Sequence, residues 1–176
     1  LIAGTKNTEV AKATGRFRME CYDKDGILKW TAESQNLVVN VGLQYMAGTA
    51  LTSTTQITTW YIGLYGAGAS NTPAAGDTMA SHAGWTEVTP YAGNRPTATF
   101  AAATNANPSV VTNSASPASF SINATQTVGG AFLTSNNTAG GSTGTLFSAA
   151  DFQSPGDRNV VSGDTLNVSY TFSLAG

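Results

Sequence analysis

The sequence predicts an all-β protein, a β-sandwich or jelly roll with one short helix and long irregular loops. Three observations predict it. Short segments alternate apolar and polar residues, most clearly Leu166, Val168, Tyr170, Phe172 and Leu174 against Thr165, Asn167, Ser169, Thr171 and Ser173. Clusters of Gly, Pro, Asn and Asp separate such segments. From Pro96 to Ala150 there is no Asp, Glu, Lys, Arg or His; Thr, Ser, Ala, Asn and Gly surround isolated large apolar residues, which suits pleated sheet and tight turns better than helix.

Along the chain, residues 1–14 mix small, polar and single apolar side chains and are read as an N-terminal arm, leaving 15–176 as one sandwich domain. Gly15 to Tyr22 alternates, with Phe17, Met19 and Cys21 on one face and Arg16, Arg18, Glu20 and Tyr22 on the other. Asp23-Lys24-Asp25-Gly26 is a turn, and Ile27 to Glu33 returns with Leu28, Trp30 and Ala32 sharing a face. Asn36 or Asn40 is placed to cap a short helix carrying Val41, Leu43, Tyr45 and Met46, and Gly48 to end it. Trp60 to Tyr65 is apolar on both faces, as a central strand buried on both sides would be. Gly66 to Pro96, about thirty residues with Pro73, Pro90 and Pro96, exceeds an ordinary connection and is expected to be functional or pinned to a partner. Strands are then expected at Thr97 to Ala101, Ser119 to Asn123, Val128 to Leu133, Thr145 to Ser148 and Asp164 to Leu174, with a glycine-rich hairpin tip at 136–144. No internal repeat is visible.

Length and composition bound the function. At 176 residues and 41% hydrophobic, one domain with a real core is expected. Charged residues make up 10%, against roughly 25% in an average soluble domain, and the net charge is -2. Such a surface fits a protein partly hidden in a larger assembly. Six of the eight bases (Lys6, Lys12, Arg16, Arg18, Lys24, Lys29) fall in the first 29 residues. They suit either a basic region docking on an acidic partner or solvated strand edges, and the interleaved Glu9, Glu20, Asp23 and Asp25 favour the edges. The spacing and the lack of a basic aromatic patch argue against nucleic-acid binding. Cys21 is the one cysteine, so no intrachain disulfide forms, and no stretch approaches the ~18 apolar residues of a membrane span.

Chemistry-bearing motifs are few. The single histidine, His82, lies near Asp77, Ser81 and Glu87, but neighbours in sequence point apart and there is no GxSxG turn. The reading preferred over hydrolysis is that Asp77, His82 and Trp85 pin the long loop. Asp23 to Gly26 lacks the distal bidentate Glu of a calcium loop, and 140–144 lacks the Lys and helix of a phosphate loop. Three Asn-x-Ser/Thr matches, at Asn123, Asn136 and Asn167, are expected by chance in so Asn/Thr-rich a chain. Trp60, Tyr61, Tyr65, Trp85 and Tyr91 would stack on sugar rings if exposed together, and otherwise belong to the core. No cofactor, metal or catalytic residue is assigned.

Five segments read together carry a resemblance: Asn36 to Gly42, Trp60 to Tyr65, Gly76 to Glu87, Val128 to Leu133, and Ser162 to Val168. They resemble tailed-bacteriophage virion proteins, and the pattern is similar to small β-rich head proteins of the cement or decoration kind over most of Gly15 to Ala175. The resemblance implies a non-enzymatic jelly-roll-like protein, made in the host bacterial cytoplasm, that binds the capsid exterior across seams between subunits and stabilises the shell. Its implied partners are the major capsid protein and further copies of itself, as a homodimer or homotrimer, with no nucleic acid and no membrane. Partner contacts are expected from the arm and the long loop, at Lys6, Lys12, Asp77, His82, Trp85, Tyr91 and Arg95. One rival is a tail or fibre component binding host surface glycan through aromatic and Asn/Thr-rich loops. Another, a polysaccharide-cleaving enzyme, needs paired carboxylates about 5–10 Å apart, which ten scattered acids do not suggest.

Overall fold

Alternation at both ends of the chain builds one sheet. In the computed structural model, which describes residues 10–66, 72–152 and 156–176, the elements in chain order are β1 (Lys12–Tyr22), β2 (Leu28–Gln35), β3 (Leu37–Val38), α1 (Asn40–Leu51), β4 (Tyr61–Tyr65) and β5 (Glu87–Val88). After them come β6 (Ser109–Thr112), β7 (Ala118–Ser121), β8 (Gln126–Val128), β9 (Gly130–Thr134), β10 (Leu146–Asp151), β11 (Arg158–Val160) and β12 (Thr165–Ala175). The first sheet runs β2-β1-β12-β6, with β7 also on β12. Its spine is the antiparallel pair β1 and β12, in register from Lys12 opposite Ala175 to Tyr22 opposite Thr165. The second sheet runs β3-β10-β9-β4-β5, and β11 with β8 forms a small ribbon. All pairings are antiparallel.

The two sheets form an all-β sandwich. Phe17, Met19 and Cys21 of β1 and Leu166, Val168 and Tyr170 of β12 share one buried cluster with Ile62, Leu64 and Leu133 from the facing sheet. Each such side chain contributes about 1.5–3 kcal/mol on leaving water. A second cluster lies on the far side of the second sheet. There Tyr65, Phe132, Leu146 and Ala149 are covered by Val39 at the start of α1 and by Met79 and Trp85 of the long loop. A third layer thus covers one sheet only. It explains why β9 is buried along its whole length while β1 keeps a polar outer face.

The predicted hairpin of β1 and β2, the doubly buried β4 and the long final strand all form as expected. The hairpin tip at 136–144 joins β9 to β10. Other boundaries need correction. Lys12 to Thr14 belong to β1 rather than to an arm, because they pair with Ala175, Leu174 and Ser173; residues 1–9 lie outside the described residues. The helix is capped by neither asparagine. Val39 is its N-cap without a side-chain bond, and Asn36 Nδ2 instead donates to the Tyr170 hydroxyl at 2.8 Å. Gly48 sits inside the helix, which ends at Thr52, whose N–H donates to the Gly48 carbonyl. Thr97 to Ala101 is not a strand: it touches β4 only through the Tyr61–Thr97 bridge and flanking backbone bonds. The expected strand Val128 to Leu133 is two strands in different sheets, β8 and β9, divided at Gly129.

Candidate functional site

The long loop was the expected contact region, and its described part is folded back onto the second sheet. Arg95 organises one end. Its guanidinium is fully buried and makes two bonds to Glu87, from Nε to Oε1 at 2.8 Å and from one terminal nitrogen to Oε2 at 2.6 Å. Two of its other N–H groups reach the carbonyls of Asn136 (2.8 Å) and Gly141 (2.9 Å), and its Cζ lies 5.2 Å from the Phe132 ring centre. Glu87 Oε2 also accepts from the Gly140 N–H at 2.8 Å, and Arg95 N–H donates to the Asn137 carbonyl. One buried ion pair thus fixes both the loop and the glycine-rich tip. It holds because every polar atom of the guanidinium has an acceptor.

Asp77, His82 and Trp85 hold the other end, as the pinning reading expected. Asp77 Oδ2 accepts from the Trp85 indole N–H and from the Ala74 N–H, each at 2.9 Å. The His82 ring stacks on Trp85 with centroids 3.9 Å apart, and its Nδ1 lies 2.8 Å from the Trp85 carbonyl oxygen. Trp85 in turn packs on Tyr65 and Phe132.

Of the seven expected contact residues, Asp77, Trp85, Tyr91 and Arg95 are buried within the chain's own fold. Tyr91 packs edge-on against Phe120, and burial raises its phenol. Lys12 is exposed at the start of β1, His82 is half-buried, and Lys6 lies outside the described residues. The sugar-stacking set is not exposed together either, since Tyr65, Trp85 and Tyr91 are buried.

Several charges elsewhere are also paired locally. On the outer face of the first sheet Arg16 meets Glu33 at 3.3 Å and Arg18 meets Glu20 at 2.7 Å. These half-exposed pairs are solvated, but Arg16, Arg18 and Glu20 stand on the face of β1, which is paired on both sides, rather than at a strand edge, and the pairs contribute little to stability. Asp23 Oδ1 accepts the N–H groups of Asp25 and Ile27, which makes its segment a hairpin turn. Sequence reasoning missed Asp164, whose side chain is buried. It accepts from Lys29 Nζ at 2.6 Å, from the Val161 N–H at 2.9 Å and from the Cys21 thiol at 3.6 Å. Burial works to raise this carboxyl, but the bonds from Lys29 and Val161 outweigh it and hold it below its usual range. Burial, with Asp164 beside it, pushes the Cys21 thiol up to about 12, so the thiolate needed for reaction is suppressed.

Among the described residues no three His, Cys, Asp or Glu side chains converge as metal ligands would, and no helix is long and apolar enough to cross a membrane. Comparison with known proteins gives no match to a family model, a curated protein or a solved structure.

Proposed function

We propose that this chain is a non-enzymatic structural protein of a tailed-phage virion that binds the outer surface of the capsid and stabilises it. The observation that carries the reading is how the ionisable side chains of the long loop are used. Asp77, Glu87 and Arg95 are spent on internal locks that press the loop onto the second sheet, and Asp164 similarly ties the strand ends of the first. A fold that uses its scarce charges for rigidity suits a preorganised binding body, which loses little entropy on docking. The resemblance to cement and decoration proteins supplies the partner. Many symmetry-related copies on a shell add stability by mass action, without a reaction.

The test is to count copies of this protein per purified virion by quantitative mass spectrometry, relative to the major capsid protein. Hundreds of copies, about one for each capsid subunit or cluster of subunits, are expected on the shell. About a dozen copies would place it in the tail or fibres and overturn the capsid reading.

A further inference from the structure

Tyr45 of α1 borders three hollows, and Trp60, just before β4, borders two of them. A hollow of about 490 Å³ lies along α1 and is bordered by Gln44, Thr54 and Thr145. A second, of about 470 Å³, is bordered by Tyr45, Thr49, Gln56 and Trp60. Both volumes fall in the range of small-ligand sites. Tyr45 and Trp60 also wall a third, apolar crevice of about 140 Å³, which Phe100 and Phe172 line between the two sheets. Among the described residues, no Asp, Glu, Lys, Arg or His lines any of the three hollows.

The walls are held in place. The Tyr45 hydroxyl accepts from the Ile57 N–H at 2.8 Å, which ties the 52–60 segment to the helix. Thr49 Oγ1 donates to the Tyr45 carbonyl at 3.0 Å, and the Tyr45 and Trp60 rings meet edge-on at 5.4 Å. Of the three tryptophans, Trp30 donates its indole N–H to the Asn159 carbonyl and Trp85 donates to Asp77. Among the described residues the half-buried Trp60 indole makes no such bond, and its ring lines two of the hollows.

We infer that this groove binds an uncharged oligosaccharide. Sugar rings present an apolar C–H face for aromatic rings and a rim of hydroxyls for amides and hydroxyls. The groove offers half-exposed Tyr and Trp rings beside Gln44, Gln56 and threonine hydroxyls, with no charge to select an ionic ligand. The inference rests on the lining of these hollows and not on the capsid reading.

The test is titration of the intact protein with cellotetraose, maltotetraose and chitotetraose, each to about 10 mM, followed by the indole N–H signals in ¹⁵N NMR. At least one sugar should shift the Trp60 signal with Kd about 0.1–1 mM, leaving Trp30 and Trp85 unmoved. Trp60→Ala, which removes the indole reporter and is therefore read by isothermal titration calorimetry, should weaken binding at least about tenfold. Because Trp60 also packs on Phe147, the exposed Gln44→Ala and Gln56→Ala serve as fold-neutral variants, each weakening binding about threefold. No Trp60 shift with any of the three sugars overturns the proposal, as does binding unchanged in the variants. A Trp60 shift with toluene alone also overturns it, by assigning the apolar crevice to a hydrophobic ligand. Virion copy number is a separate measurement, so either result leaves the capsid reading to be decided by its own test.

Discussion

Arg95 has no contact with solvent, so its charge is balanced wholly by Glu87 and by carbonyls of the hairpin tip. Removing either partner leaves a buried, uncompensated charge. Arg95→Ala is therefore expected to lower the unfolding free energy by about 3–5 kcal/mol in urea titrations. Arg95→Met combined with Glu87→Leu should lose less than Arg95→Ala, because neither charge is then stranded. Native-state hydrogen exchange gives a local readout. The Gly140 N–H, bonded to Glu87, should exchange faster in Arg95→Ala by more than the global loss explains, since the tip loses its anchor. A loss under about 1 kcal/mol with unchanged Gly140 exchange would show that the pair locks nothing.

At the scale of elements, α1 reaches the second sheet through glycine. Gly42 is the one fully buried residue of the helix, and a Cβ there would collide with the Phe147 carbonyl of β10. In an isolated helix Gly→Ala stabilises by about 1 kcal/mol. Here the sign should reverse: Gly42→Ala has to lift the helix off β10, and thermal melts should show destabilisation of about 1–3 kcal/mol. Gly48→Ala is the control. Its Cβ would meet the Thr54 side chain rather than backbone, so Oγ1 can rotate away but Thr54 Cβ at 3.2 Å has to give slightly, and the variant should destabilise less than Gly42→Ala. If both variants stabilise, the close approach of α1 to β10 is not a constraint.

These elements also show how much of the fold was legible in the sequence. Strands of the first sheet keep one face wet, so β1 and β12 carry a period of two that reads directly. In the second sheet both faces are covered and the period disappears. Val128 and Gly130 are equally buried although they belong to different sheets, so the break at Gly129 left no trace in the pattern. Two-residue strands such as β3 and β5 are too short to show any pattern. At the site, the pinning by Asp77, His82 and Trp85 was legible because its partners are near in sequence. Arg95 was read as a surface contact although Glu87 is only eight residues away; the carbonyls that complete its burial lie 41 and 46 residues away, in the charge-free stretch that suggested no partner for it.

At the scale of the whole molecule, the pairing of β1 with β12 joins the two ends of the described chain, so the proposed arm and the fold have to be separated there. Lys12, Ala13 and Thr14 pair with Ala175, Leu174 and Ser173 at the open end of the sheet, and Lys12 is exposed. Residues 1–9 precede this ladder. Two truncations divide their roles. Removing residues 1–9 should leave the melting temperature within about 1 °C while weakening attachment to shells, if the arm contributes to docking. Removing residues 1–14 strips three rungs from the central strand pair and uncovers the opposing edge of β12. That should cost about 1–3 kcal/mol, and the melting point should drop by several degrees. A shorter truncation that melts early would make residues 1–9 part of the fold. One that attaches to shells as strongly as the full chain would remove the arm from the docking surface, leaving the exposed face of the first sheet and the rim of the long loop to carry it.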